Sequence, residues 1–331
     1  MTQPTNSAVH VDAALTNISV AFLQNASNFI AGTVFPNVPV SKQSDRYFVF
    51  NRGDFNRDEA EIRAPGTESA GGGYELDNTP TYFANVWAFH HDVPDQVRSN
   101  ADPAVDPERA ATELVTHKML IRREKQWVSK FFTTGVWGTD IVGVGSSPSA
   151  GQTLQWSDDN ANPIGDVDDA KATILENTGY MPNKLVLGYR VFDALKRHPD
   201  IVDLVKYSGA VGPNNPALIS ETALASVFGV EEVVISRAIE NTAAQGATAA
   251  HSFIGGNNAL LTHAAPAPSL MTPSGGYTFS WSGFMGQTNA FGFATKRFYI
   301  DELESTRVEA QMAFDNKLVS PELGFFWSNI V

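Results

Sequence analysis

Between Ser44 and Phe132 the chain sets two extended aromatic runs around a glycine-rich tip and follows them with a long stretch free of helix breakers. The first run reads SDRYFVFN, the tip GTESAGGGY and the return TYFANVWAFHHDV. Aromatic and β-branched residues at alternating positions predict strands, and the glycines supply the positive φ angles that a reversal needs. Some twenty residues per arm, at about 3.3 Å each, would project a hairpin of about 60 Å. A two-stranded ribbon of that length cannot bury its own faces and is marginal alone in water. It is expected to pack on a neighbouring subunit.

The helix that follows carries a strong start signal. Asp106 supplies an N-cap acceptor and Pro107 a ring preset for the first position, and Glu108 to Phe132 contains neither Pro nor Gly. Residues 107–132 would make a helix of roughly 39 Å. Leu114, Ile121 and Val128 repeat by seven with Leu120, Trp127 and Phe131 alongside, which leaves Arg109, Glu113, Arg122 and Arg123 for a polar side.

Composition then excludes several classes. With 331 residues and 43% hydrophobic content the chain can bury a sizeable core. Its net charge of -13 opposes general binding to a phosphate backbone, which needs clustered Lys and Arg. The absence of cysteine removes disulfides, thiolate metal sites and cysteine nucleophiles, and suits a reducing cytoplasm. Neither an export signal nor an apolar run long enough for a membrane span is apparent.

In residues 1–40 the only Asp, Glu, Lys or Arg is Asp12. Leu15, Ile18, Phe22 and Phe29 recur at helical spacing before FPNVPV extends the chain, which describes an arm that docks on something. Past a loop-rich Gly135 to Gly165, a helix is expected from Asp166 to Asn177. KLVLG then reads as a buried strand, YRVFDALKRH as a helix broken at His198-Pro199, ETALASVFG as a helix and EEVVISRAI as a strand. Ala264 to Gly292 reads as irregular strands and connections, and the closing segment as strands that turn at DN and at PELG. No fixed-period repeat is present.

Chemistry-bearing residues have plain readings. His90 and His91, beside Asp92, are strand neighbours on opposite faces and poorly placed to chelate one ion. His117 is expected to pair with Glu113 on the helix surface, and His198 to cap a helix C-terminus. FSWSGF does not match a nucleophile elbow, and GVGSSPSAG lacks the ending of a phosphate-binding loop. The acidic clusters at Asp58, Glu59 and Glu61 and around Asp158, Asp159, Asp166, Asp168 and Asp169 lack calcium-loop spacing. No catalytic residue, metal or cofactor is expected. In the hairpin, Arg46, Arg52, Arg57 and Arg63 interleave with Asp45, Asp54, Asp58, Glu59 and Glu61, and mixed charge on a projecting ribbon suits complementarity between subunits.

Several stretches, in order, resemble the major capsid proteins of tailed bacteriophages, whose shells share the Hong Kong 97-like fold. LTNISVAFLQNASNFIAGTVFPNVPV resembles the family's N-terminal arm, SDRYFVFNRGDFNRDEAEIRAPGTES with GGGYELDNT its extended loop, and DPERAATELVTHKMLIRREKQWV its spine helix. DDNANPIGDVDDAK, MPNKLVLGYRVFDALKRHPDIVD and FGVEEVVISRAIENTA resemble segments that enter and build the axial domain, and RVEAQMAFDNKLVSPELGFFWSNI the strands that return to the peripheral domain.

The resemblance implies an α+β chain with an arm at 1–40, an extended β-hairpin loop at 41–100, a peripheral domain at 101–182 and 292–331, and an axial α/β domain at 183–291. It also implies hexamers and pentamers tiling an icosahedral virion shell, assembled in the host cytoplasm around double-stranded DNA that is touched only weakly. Separate scaffolding and portal proteins, and in some shells a cementing protein, would be the partners, with no membrane. Arg46, Arg52, Arg57, Asp58, Glu59, Glu61, Arg63, Glu68, Arg109, Arg122 and Arg123 are the expected subunit-interface residues.

Some members of the family fuse neighbours through a lysine in the extended loop, whereas residues 45 to 92 contain none and Lys42 lies at the base. A shell without that cross-link is expected. The almost uncharged arm also predicts a separate scaffold and no N-terminal cleavage. The alternatives are a bacterial nanocompartment shell of the same fold and a soluble α/β enzyme.

Overall fold

The long helix forms where its cap places it. In the computed structural model, which describes residues 24–50, 52–101, 106–207, 219–268, 272–283 and 293–331, it spans Pro107–Phe131. The Asp106 side chain accepts from the main-chain N–H groups of Glu108 and Arg109, two of the donors that a helix start leaves over. The buried stripe is Ala111, Val115, Met119, Trp127 and Phe131. The expected seven-residue repeat of Leu114, Ile121 and Val128 flanks it at half-buried positions.

Two cores share this one helix. Its first half puts Ala111, Val115 and Met119 against Val93, Val308, Ala310, Met312 and Phe314 of one sheet. Its second half, with Phe132, packs Trp127 and Phe131 against Ile30, Ala31, Val34 and Phe35 of the arm and against Val186, Val234, Leu260 and Phe326 of another. The arm therefore docks on its own spine. The helix expected through Leu15, Ile18 and Phe22 lies outside the described residues.

The first sheet is organised around Ser305–Leu318. That strand pairs antiparallel with Asn85–Pro94, Phe293–Ile300 and Gly276–Trp281, and Asn37–Val40 adds in parallel to the last. It runs straight through Asp315 and Asn316, so the turn expected at DN does not form. Asp315 Oδ2 accepts from the Phe83 N–H at 2.9 Å, and the Thr278 hydroxyl donates to Asn316 Oδ1 at 2.9 Å. Both side chains bond to neighbouring strands instead of bending their own backbone. The chain does turn at PELG, through a short 3-10 segment at Pro321–Leu323.

The second sheet has the strand order Glu232–Ser236, Lys184–Gly188, Ala259–Thr262, Gly324–Ser328, Thr139–Val144, Gln152–Leu154. Helices Pro163–Thr178, Tyr189–Leu195, Pro199–Tyr207 and Glu221–Phe228 contribute to its core, with Trp156, Ile174, Leu195, Ile201, Leu224 and Trp327 among the buried residues. The first of these helices starts three residues before the expected Asp166. Asn162 caps it, accepting from the Gly165 N–H at 2.9 Å, and Pro163 takes the first turn.

Sheet membership crosses the boundary drawn at 291/292. Gly276–Trp281 joins the sheet of the long strand, whereas Gly324–Ser328 and Thr139–Val144 join the sheet that holds Lys184–Gly188. Among the described residues no helix is long and apolar enough to cross a membrane.

Candidate subunit interface

The 60 Å ribbon does not form. Ser44–Arg46 pairs with Thr81–Phe83 and Val49–Phe50 with Leu76–Asp77, and there the two ladders end. Most of the aromatic return run belongs elsewhere: Asn85–Pro94 leaves the loop for the long strand, where Trp87, Phe89 and Val93 face the spine helix. The alternation was real, but its apolar face is a core face. Residues 56–73 carry charges, Pro65 and glycines without alternation and are exposed throughout, so no packed face sustains a ladder there.

What remains is a short stalk with a firm root. Tyr82 is buried and stacks on Phe279 of the large sheet, ring centroids 4.7 Å apart and nearly parallel, while Tyr47 packs on the same ring at 5.4 Å. The Ala84 N–H donates to the Gln43 carbonyl at 2.8 Å, closing the stalk at its base. Lys42, exposed beside that base, pairs with Asp45 at 3.4 Å. The Arg46 N–H and Lys42 together hold the Asp45 carboxyl below its ordinary range.

Beyond the stalk, the turn Arg52–Phe55 brings three aromatic rings together. Phe50, Phe55 and Tyr74 lie with centroids 5.5 to 5.9 Å apart. Asp54 ties the two arms here, accepting from the Glu75 N–H at 2.9 Å and pairing with Arg57 at 3.5 Å. Yet Phe55 is 50% and Tyr74 63% exposed, Ile62 further out is wholly exposed, and Phe48 and Leu76 are exposed as well. Apolar surface gathered on a projection marks a docking face. The sequence reading put Phe50 in the first strand run and Tyr74 in the glycine-rich tip; their convergence with Phe55 depends on the turn at Arg52–Phe55, which has no strand periodicity.

The expected charged residues sort into two groups. Arg46, Arg57, Asp58, Glu59, Glu61, Arg63 and Glu68 are exposed along the loop, and Arg52 opens its short turn. Arg57 pairs with Glu59 at 3.1 Å. Arg63 Nε donates to the Thr67 carbonyl at 2.6 Å across a turn in which Gly66 takes φ 81°, a conformation that glycine adopts without a side-chain clash.

The spine residues do not join them. Arg109 pairs with Glu113 one turn away at 3.1 Å, so Glu113 does not meet His117, whose ring instead sits edge-on to Phe29 at 5.9 Å. Arg122 lies 3.9 Å over the Trp87 ring within the same chain. Arg123 is half-buried against the arm, its guanidinium 3.2 Å from where a Cβ on Gly32 would stand. Neither Arg122 nor Arg123 belongs to the loop's exposed set. The His198 ring, expected as a cap, is buried without a hydrogen bond, its Nδ1 4.0 Å from Asp200.

One charged feature of the large sheet escaped sequence reasoning. Asp92, on the face turned away from the spine, takes Arg307 in a two-bond clasp at 2.6 and 2.8 Å, which holds its carboxyl below the ordinary range. The pair spans 215 residues, and only the register of Ser305–Leu318 on Asn85–Pro94 brings it together. On the same strand, His90 stands opposite Glu309 and His91 opposite Val308, and burial lowers the His91 pKa.

No family model matches the chain. It is 27% identical over 328 residues to the major capsid protein of Pseudomonas phage JBD67, covering 98% of this chain and 99% of that one. It is 23% identical over 233 residues to the major capsid protein of Burkholderia phage BcepMu, 69% of each.

Among solved structures, a phage-related protein from Bordetella bronchiseptica superposes with a TM-score of 0.66 at 21% identity, covering 97% of both chains. The capsid of cyanophage P-SCSP1u gives 0.61 at 10% identity over 94% of this chain and 90% of that one. The SrpI encapsulin of Synechococcus elongatus gives 0.56 at 12% identity over 97% and 95%. The fold as a whole recurs in phage capsids and in an encapsulin, and the end-to-end sequence match falls on the capsid protein of a phage. In sequence from end to end and in fold, the chain is similar to phage major capsid proteins.

Proposed function

We propose that this chain tiles a closed icosahedral shell as hexamers and pentamers around double-stranded DNA, held without covalent bonds. The observation that carries the reading is the Phe50, Phe55 and Tyr74 cluster: three rings gathered on a rooted stalk, with half or more of two of them left in water. In a closed assembly, each loop has a neighbour to cover it. Arg46, Arg52, Arg57, Asp58, Glu59, Glu61, Arg63 and Glu68 belong to the same loop and would supply a polar rim that fixes register more than strength. An axial region around Lys184–Gly188 and a peripheral region around the spine would divide the work of closing each capsomer and joining it to the next.

The negative chain suits a wall that touches packed DNA weakly. Lys42 sits at the root of the stalk and residues 45 to 92 offer no other amine, which favours a shell joined by packing and charge. Scaffolding and portal proteins would be the assembly partners.

A second reading, a nanocompartment that encloses an enzyme, has the encapsulin likeness behind it. Purified particles decide between the two. Closed shells that contain DNA and run as a single monomer band after boiling in denaturant are expected. Shells free of nucleic acid would favour the nanocompartment, a ladder of oligomers would overturn the non-covalent wall, and a chain that forms no shell would overturn both readings.

A further inference from the structure

The first sheet ends on one side at the strand Phe293–Ile300, which pairs with Ser305–Leu318 and, among the described residues, with no strand beyond it. Two main-chain bonds set the phase of this edge. The Asp95 N–H donates to the Glu304 carbonyl at 2.9 Å just before the long strand, and the Val319 N–H donates to the Gly275 carbonyl at 3.0 Å just past its end. Residues of an antiparallel strand bond alternately to either side, and neither ladder slips in register. Even-numbered residues of the long strand therefore turn toward Asn85–Pro94, and odd-numbered ones toward Phe293–Ile300. Lys296 and Phe298 spend their main-chain groups on Glu309 and Arg307, while Thr295, Arg297 and Tyr299 turn theirs outward, away from the sheet.

An edge of eight residues with neither proline nor bulge is a template for another strand. Phe298 and Tyr299, on opposite faces of it, are 42% and 48% exposed. Lys296 stands across from Glu309, and Arg297 pairs with Glu108 at 2.5 Å while its side chain stays 61% exposed. A second copy of the same edge is a poor partner, because two such strands centred on this stretch would set Lys296 and Arg297 against their own counterparts. A complementary strand has acids beside these two cations and a cation toward Asp301, Glu302 and Glu304, which follow the edge.

Residues 58–62 carry that pattern. They read DEAEI between Arg57 and Arg63, so acids occupy the middle and a guanidinium reaches the acidic end of the edge whichever way the segment runs. All five are exposed, Ile62 wholly, and no described strand of their own chain pairs with them. In an extended conformation Glu59 and Glu61 share one face, and Asp58, Ala60 and Ile62 the other. Acids on the Arg297 face would leave Asp58 and Ile62 on the face of Lys296 and Phe298.

We propose that the edge Phe293–Ile300 receives residues 58–62 from the loop of a second copy as an added strand. Main-chain bonds at Thr295, Arg297 and Tyr299 supply the hold, and the charges select the segment. The inference rests on the closed-shell reading and names the place where a neighbour's loop is received.

Thr295→Pro tests the edge, because it removes an outward N–H and spares the ladder to the long strand. In the full chain the urea midpoint is expected to match the native one, and matched lysates to yield at least about tenfold fewer particles on sedimentation. Native particle yield from the folded variant overturns the edge and leaves the shell reading standing, whereas a native chain that forms no particles overturns both. The occupant is tested by cross-linking, which also carries the test should Thr295→Pro fail to fold. The chain has no cysteine, so Ala60→Cys and Phe298→Cys introduce its only thiols. Assembled particles of the double variant, treated with a short bismaleimide, are expected to give linked oligomers on a denaturing gel, and each single variant to give monomer. Linkage through Phe298→Cys alone would show the edge pairing with itself, and monomer from the double variant would show the edge without the loop; either result overturns the proposal.

Discussion

The loop at residues 44–84 and the spine at 107–131 both look long and regular in sequence, and only the spine stays so in three dimensions. The spine keeps its full length because each half of its buried stripe meets a different core, the large sheet at Val115 and Met119 and the arm with the second sheet at Trp127 and Phe131. The loop's strands persist only where they touch something: Tyr82 on Phe279 at the root, and Phe50 with Phe55 and Tyr74 just beyond. Regular structure follows the available packing partner more than the local pattern. The stretch left irregular by its own chain is the stretch free to be shaped by another.

The contrast breaks most sharply at Trp127. Its ring is buried where arm, spine and second sheet meet, so Trp127→Ala should lower the stability of the unassembled chain by about 3–5 kcal/mol. A urea titration followed by circular dichroism measures this. If the midpoint moves by no more than a surface substitution would move it, the shared core is not what keeps the spine straight.

Phe55 should behave the other way round. Half of its surface is already in water, so Phe55→Asp is expected to change monomer stability by no more than about 0.5 kcal/mol. In a shell, the same ring would be covered, and a carboxylate buried there without a partner costs more than about 1.4 kcal/mol, a factor of ten in each association step. Sedimentation of matched lysates should show a folded chain and at least a tenfold loss of particles. Normal particle yield would move the interface away from the aromatic cluster.

What could be read in advance followed the reach of each interaction. The spine was legible because an Asp-Pro cap and an unbroken helical stretch are local signals, and Lys184–Gly188 because a short apolar run is one too. The exposure of the charged loop residues was legible because they adjoin in one polar stretch. The intrachain packing of Arg122 and Arg123 was not, since what they lie against comes from Trp87 and Gly32. The clasp of Asp92 on Arg307 depends on a strand register fixed far away.

The smallest expected effect refines the loop itself. Arg63 closes the turn at Thr67, and both Arg63 and Glu61 stand in solvent in the single chain, where an exposed ionic contact contributes less than about 1 kcal/mol. Arg63→Glu and Glu61→Arg should therefore leave monomer unfolding unchanged. In a closed shell, however, the same small loss recurs at every copy of the loop, and like charges replace complementary ones around the aromatic cluster. Particles should still form but dissociate at a lower temperature, and the deficit should shrink as salt screens charges more than a Debye length, about 10 Å at 0.1 M, from their partners. Equal heat resistance for native and reversed particles at low salt would leave packing of Phe50, Phe55 and Tyr74 as the loop's whole contribution.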